Sequence, residues 1–205
     1  MKEYNYIEIA SQYDLEVKEY NSYGHDLIFG MGFEYVKPDE KILDIGIGTG
    51  LASINFSKLG LKVYGIDNSE EMLKVCEMKS FAEKLRLHNL SGSRIPYDDN
   101  YFNHIISCGV FHFLGDLEAL FSDVARLLIK GGVFAFTFAP GNFTEEYTKQ
   151  MTAWGVPIYI HSPDYIKRLL ETNGMELLKE QRLLIKGADK VNYDMQFSVM
   201  LAQYK

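Results

Sequence analysis

In KILDIGIGTG an apolar run ends at Asp44, and Gly46, Gly48 and Gly50 then follow at alternate positions. Glycine tolerates positive φ and carries no Cβ, so a ligand can lie directly against such a loop while its amides face outward at the start of a helix. A second apolar run, LKVYGID, ends at Asp67, about 20 residues beyond Gly46, the spacing at which a carboxylate reaches an adenosine ribose. The two carboxylate oxygens can accept from both ribose hydroxyls. Helix capping is the competing use of Asp67, but Asn68 and Ser69 follow at once and Glu71 stands where a capping-box acid would be.

Nicotinamide dinucleotides also use a glycine loop and a distant acid, so the spacing within the loop has to discriminate. Their fingerprint is GxGxxG, whose amides hold a pyrophosphate. Here the loop is GxGxG with Asp44 immediately upstream. A carboxylate at that place repels a pyrophosphate and suits a ligand that carries an ammonium group. For proton transfer, His112 is the best single candidate, because it follows the fourth apolar run and imidazole titrates near neutrality. A packed or capping histidine is the alternative.

The elements that must position these residues follow from periodicity. From Lys41 onward short β-branched runs alternate with amphipathic ones, the pattern of βαβ units. KILDI, LKVYGID, LRLHNL, NHIISCGV and GVFAFTFA read as five successive strands. In GDLEALFSDVARLLIKGG the residues Leu117, Leu120, Phe121, Val124, Leu127 and Leu128 share a helix face, and Gly131 supplies a stop. HSPDYIKRLLETNG opens with Ser162 as N-cap and Pro163 at the first helical position, and closes at Gly174. MELLKEQRLLIK and VNYDMQFSVMLAQYK read as an antiparallel pair, the second alternating in the manner of a sheet edge. Residues 140–161 read as an irregular or helical insertion, and the region before Pro38 as one or two helices. The architecture expected is an open, mainly parallel α/β sheet with helices on both faces.

The whole chain sets limits. Its 205 residues and 47% hydrophobic composition suit one domain. A net charge of -7 argues against a general nucleic-acid or anionic-membrane binder, since such proteins present a basic face to phosphates. Cys76 and Cys108 stand far apart, and the five histidines show no ligand spacing, so neither a disulfide framework nor a metal site is expected. The first residues lack a signal peptide's apolar core, and no run reaches the length of a membrane span, so the expected location is cytoplasmic.

LDIGIGTG, VYGIDNSEEML, SGSRIPYDDNYFNHIISCGVFHFL and LLIKGGVFAFTF, in this order, resemble the successive motifs of class I S-adenosylmethionine-dependent methyltransferases, above all those of the small-molecule type. The resemblance runs from about Tyr13 to the C-terminus. It implies a Rossmann-like sheet of seven strands, mainly parallel with an antiparallel last strand, in one domain over residues 1–205. Residues 1–37 would form a helical lid and residues 140–161 a substrate-side insertion. S-adenosylmethionine carries an ammonium group, a cationic sulfonium and no phosphate, in keeping with the loop chemistry.

The resemblance also implies roles. Asp44, Gly46, Gly48 and Gly50 would lie under the methionine portion, Asp67 would bind the ribose, and Asn68 would flank the adenine. Ser91 and Gly92 fall where the family often has an aspartate and a small residue holding the adenine amino group; Ser91 departs from that pattern, and a neutral acceptor is weaker than a carboxylate. Cys108 and Gly109 would touch the methionine moiety. Tyr13 would lie on a helix over the cofactor, where an aromatic face favours a cation. The function expected is methyl transfer to a small-molecule acceptor, with His112 and Tyr13 as catalytic candidates. The alternative is a non-catalytic protein that binds S-adenosylmethionine or S-adenosylhomocysteine. A nicotinamide oxidoreductase comes third, for Tyr147 has no lysine four residues on.

Overall fold

The strand Lys41–Ile45 (β1) is buried from its second residue onward, and its two faces serve two separate cores. Leu43 and Ile45 pack into one cluster and Ile42 into the other, so the run is apolar without alternation, as a strand covered on both faces must be. The computed structural model describes residues 6–90, 94–152, 155–185 and 195–205. β1 pairs in parallel with β2 (Lys62–Asp67) and β4 (Phe102–Ser107). β3 (Ala82–Leu87) lies outside β2, and β5 (Leu128–Phe138) lies beyond β4.

The chain then makes a hairpin, β6 (Tyr147–Met151) with β7 (Pro157–His161), before β8 (Met175–Ile185) and β9 (Met195–Tyr204). β9 runs antiparallel between β5 and β8, and the sheet order is β3-β2-β1-β4-β5-β9-β8. This is the seven-stranded, mainly parallel sheet expected.

Helices α1 (Tyr6–Glu19), α2 (Gly24–Gly32), α3 (Ile54–Lys58), α4 (Glu70–Met78), α5 (Glu118–Leu127) and α6 (Pro163–Thr172) divide between the faces. α5 and α6 bring Phe121, Val124, Ile166 and Leu170 against Phe134 and Phe136. α2, α3 and α4 bring Ile28, Phe56 and Leu73 against Val63, Ala135 and Val199. Full burial of a phenylalanine such as Phe121 or Phe134 contributes roughly 2–3 kcal/mol, so each face is held by several such residues.

Four sequence expectations change. The third strand starts three residues earlier than LRLHNL suggests, at Ala82. α5 passes into β5 without a loop, and Gly131, expected as a helix stop, sits inside β5 with φ of 80°, beside a register shift against β4. A left-handed glycine serves a bulge as well as a helix end. Residues 140–161 contain the hairpin and not a helix, because alternation from Pro157 to His161 lets Ile158 turn inward. β9 is interior and not an edge: Met200 and Ala202 fill one core while Val199 and Leu201 fill the other. Ser162 does stand at the N-cap of α6, with Pro163 following, but its side chain makes no capping hydrogen bond.

Candidate functional site

Strand order reverses between β1 and β4, and the glycine loop leaves β1 at that switch point, where ligands bind in open α/β sheets. Gly46, Gly48 and Gly50 all have positive φ, at 73°, 54° and 89°. The amides of Gly46 and Ile47 donate to the Ile66 carbonyl at 2.8 and 3.0 Å, which ties the loop to β2. A Cβ on Gly46 would lie 2.2 Å from Val110, and one on Gly50 would lie 2.4 Å from Phe81. Gly48 and Gly109 (φ 72°) differ, for a Cβ there would meet nothing within 4 Å. The first pair are glycines because protein packs on them; the second pair line open space. Gly65 in β2 belongs with the first pair, since its Cβ would strike Ile47 at 2.4 Å.

Asp67 ends β2, half-buried. Its Oδ2 accepts from the Gly48 amide at 2.8 Å and its Oδ1 from the Ser69 amide at 2.9 Å. Each oxygen keeps a lone pair for a ribose hydroxyl. Capping of α4 falls to Ser69, whose Oγ accepts from the Met72 amide. Burial raises the Asp67 pKa, against the three backbone amides of Ser69, Gly48 and Asn68. Asn68 is exposed beside it.

Asp44 is fully buried, and among the described residues neither of its carboxylate oxygens has a hydrogen-bond partner. Burial pushes its pKa up to about 7; the nearby Ser53 hydroxyl, which completes no hydrogen bond, opposes this, and the charge of Asp67 adds to it. An unpaired carboxylate in a protein interior costs several kcal/mol unless a cation or a proton joins it. An ammonium group would supply the missing charge partner under the glycine loop, and the residues present fit the methionine end of S-adenosylmethionine.

Helix α1 closes over this place. Asp14 accepts from the Thr49 hydroxyl in the loop at 2.5 Å and pairs with Lys79, just beyond α4, also at 2.5 Å. Under α1 a cavity of about 80 Å³ remains, lined among others by Tyr13, His25, Gly46, Gly48, Cys108 and Gly109. Small-molecule pockets typically hold about 300–1,000 Å³. A larger hollow of about 460 Å³ is lined, among the described residues, by Arg94 to Asp99, consecutive residues of one loop.

The structure thus brings Tyr13, Gly46, Gly48, Cys108 and Gly109 to one cavity, with Asp67 bonded to its Gly48 wall. Burial, with Cys108, Asp14, Asp67 and Asp44 around it, raises the Tyr13 phenol far above its ordinary range. Burial also pushes the Cys108 thiol up to about 12, aided by Asp44, against a hydrogen bond involving Thr137. His112 lies elsewhere, in a turn at Phe111–Phe113, 4.0 Å from the Phe113 ring and edge-on to Phe197. Burial and the neighbouring His161 push its pKa down to about 4, so it is neutral at pH 7 and a weak base.

Ser91 and Gly92 lie outside the described residues. Sequence reasoning assigned no role to Thr49, which anchors α1, or to Gly65; glycine inside a strand was the available signal for the latter. Among the described residues no cluster of His, Cys, Asp or Glu is placed to hold a metal ion, and no helix is long and apolar enough to cross a membrane.

Comparison with known proteins agrees with this geometry. Residues 43–136 match a family described as a methyltransferase domain. A ubiquinone biosynthesis O-methyltransferase of Pelagibacter ubique is 25% identical over 160 residues, 75% of this chain and 65% of the relative. The chain therefore spans less than two thirds of that relative's length. A methyltransferase structure from Methanosarcina mazei superposes with a TM-score of 0.70 at 16% identity, covering 85% of this chain and 96% of that one. Magnesium protoporphyrin IX methyltransferase of Synechocystis, crystallised with bound S-adenosylmethionine, gives 0.66 at 18% identity, covering 100% of this chain and 86% of that one. The matched segment, a little under half of the chain, carries the glycine loop, Asp67 and the strand ends that enclose the cavity, and over it this chain is similar to the S-adenosylmethionine-dependent methyltransferases.

Proposed function

We propose that this chain transfers the methyl group of S-adenosylmethionine to a small-molecule acceptor. The observation that carries the reading is the buried Asp44 carboxylate, unpartnered beneath a loop whose Gly48 faces open space. Asp44 would hold the ammonium group, the backbone of Gly46, Gly48 and Gly109 would lie against the methionine chain, and Asp67 would accept from the ribose hydroxyls. Asn68, with Ser91 and Gly92, would flank the adenine. The bound cofactor supplies an electrophilic methyl group. The protein's part is to hold that group in line with the acceptor and keep water away, because displacement at a sulfonium gains most from positioning. The Pelagibacter relative is named for O-methylation, which supports a hydroxyl acceptor here.

Calorimetry should find tight binding of S-adenosylmethionine and of S-adenosylhomocysteine, and none of a nicotinamide dinucleotide. S-adenosylhomocysteine should be released in the presence of a phenolic acceptor panel. Tight cofactor binding with release at background across the panel would favour a non-catalytic binding protein instead.

Residues 1–37 would act as the lid and 140–161 would wall the acceptor side. With about 80 Å³ beneath it, α1 must lift to admit the cofactor, and Asp14 latches it to Thr49 and Lys79. Asp14→Ala should therefore speed S-adenosylhomocysteine association by about 5–30-fold in stopped-flow fluorescence, since charge-assisted hydrogen bonds of this kind are worth roughly 1–2 kcal/mol when half-buried. An unchanged association rate would mean that the latch does not limit entry.

A further inference from the structure

We propose that the His25 imidazole faces the transferring methyl group and takes the acceptor's proton, so that the acceptor atom is one that carries a proton, such as a phenolic or enolic hydroxyl. This rests on the cofactor reading given above. Among the described residues the cavity under α1 has three titratable side chains in its lining, Tyr13, His25 and Cys108. The first and third hold their protons: the Cys108 thiol is pushed up to about 12 and the Tyr13 phenol further still. His112, the base expected from sequence position, is absent from the lining. His25 alone offers an imidazole to the space beside Gly109.

Its placement follows from its neighbour. A Cβ on Gly24 would lie 3.3 Å from the Cys108 sulfur and 3.6 Å from Thr137, so the start of α2 is seated on the carboxyl ends of β4 and β5. Even a methyl group at residue 24 would press on the Cys108 sulfur, so glycine there lets α2, and His25 with it, sit close to the strand ends. The His25 side chain is 21% exposed, and its Nε2 lies 3.7 Å from the Asp26 carboxylate. The charged or titratable groups around it are Asp26 on its own helix, Tyr13 on α1, and Cys108 beyond β4, with Asp44 near Cys108 on β1.

In the step, the acceptor oxygen forms a bond to the methyl carbon as the carbon–sulfur bond breaks. The bonding pair stays on sulfur, which becomes neutral, and the hydroxyl proton passes to His25 and later to solvent.

The two cofactor forms differ by the sulfonium charge and the methyl group, which gives a test free of any acceptor. The His25 ring should be titrated by nitrogen-15 NMR in the S-adenosylmethionine and the S-adenosylhomocysteine complexes, with its signals assigned from their loss in His25→Gln. A cation at close range disfavours the imidazolium, so His25 should titrate about one pH unit lower with S-adenosylmethionine, while His88 behaves alike in both complexes. His25→Gln should keep S-adenosylhomocysteine affinity within about threefold, because the imidazole faces the methyl and not the ammonium or the ribose. Identical His25 titrations in two tightly bound complexes overturn the proposal and leave the methyltransferase reading standing. Failure of both ligands to bind wild-type protein overturns the cofactor reading and this proposal with it.

Discussion

Asp44→Asn binds S-adenosylhomocysteine about 30–100-fold more weakly than wild type, yet melts several degrees higher without ligand. Both expectations come from one carboxylate, buried with neither oxygen partnered. Loss of a charge-assisted hydrogen bond to the ligand's ammonium costs about 2–3 kcal/mol, which sets the affinity change. The stability change follows from linkage. The folded pKa of about 7 stands above the ordinary 3.8, so the unfolded chain releases this proton first. Stability is therefore highest below about pH 4, falls as pH rises toward 7, and is flat beyond. A shift of that size corresponds to about 4 kcal/mol at pH 8. A neutral asparagine avoids the charge but leaves an unsatisfied amide, so a net gain of about 1–3 kcal/mol remains.

Ligand affinity runs the other way with pH. Ammonium binding needs the ionised carboxylate, so wild-type affinity should weaken by up to about tenfold for each pH unit below 7, and Asp44→Asn should lose this dependence. Calorimetry across pH 5.5–8.5, with thermal melts of the free protein, checks both halves. A variant that binds like wild type would remove Asp44 from the ligand site.

Gly48→Ala and Gly50→Ala should fail in different ways. At Gly50 a methyl group would strike Phe81 at 2.4 Å with Cys76 at 3.0 Å, and φ of 89° is strained for any side chain. Overpacking and strain together cost about 3–5 kcal/mol, a drop of 10 °C or more in melting temperature. At Gly48 the new methyl group meets no protein atom, and φ of 54° costs only about 1 kcal/mol. It would occupy the space proposed for the methionine chain. Gly48→Ala should thus melt within a few degrees of wild type and lose S-adenosylhomocysteine binding by at least about 100-fold. Retained affinity in a stable Gly48→Ala protein would show that the ligand does not lie there.

Much of this was legible beforehand for definite reasons. The first two strand ends could be placed because the first run passes at once into the glycine loop and the second stops at the Asp67 carboxylate. The α6 boundaries were legible because proline and a left-handed glycine act locally. Gly131 misled because its positive φ is equally good for a bulge, and only the register between β4 and β5 decides between the two. The alternation of β9 misled because both of its faces are covered, and a strand cannot reveal from its own residues what packs on it.

The site divides along the same line. By itself the sequence determined a glycine loop flanked by two acids, a pattern that suits an adenosine ligand with a cationic end, since those constraints arise from bond geometry and charge within one short segment. Tertiary structure alone decided which glycines face protein and which face open space, because a Cβ clash depends on residues as distant as Val110 and Phe81. It decided also that His112 packs against aromatic rings while His25, carried in on α2, reaches the cavity. Proximity to the strand ends in sequence does not fix where a side chain is aimed; the packing of helices against the sheet does.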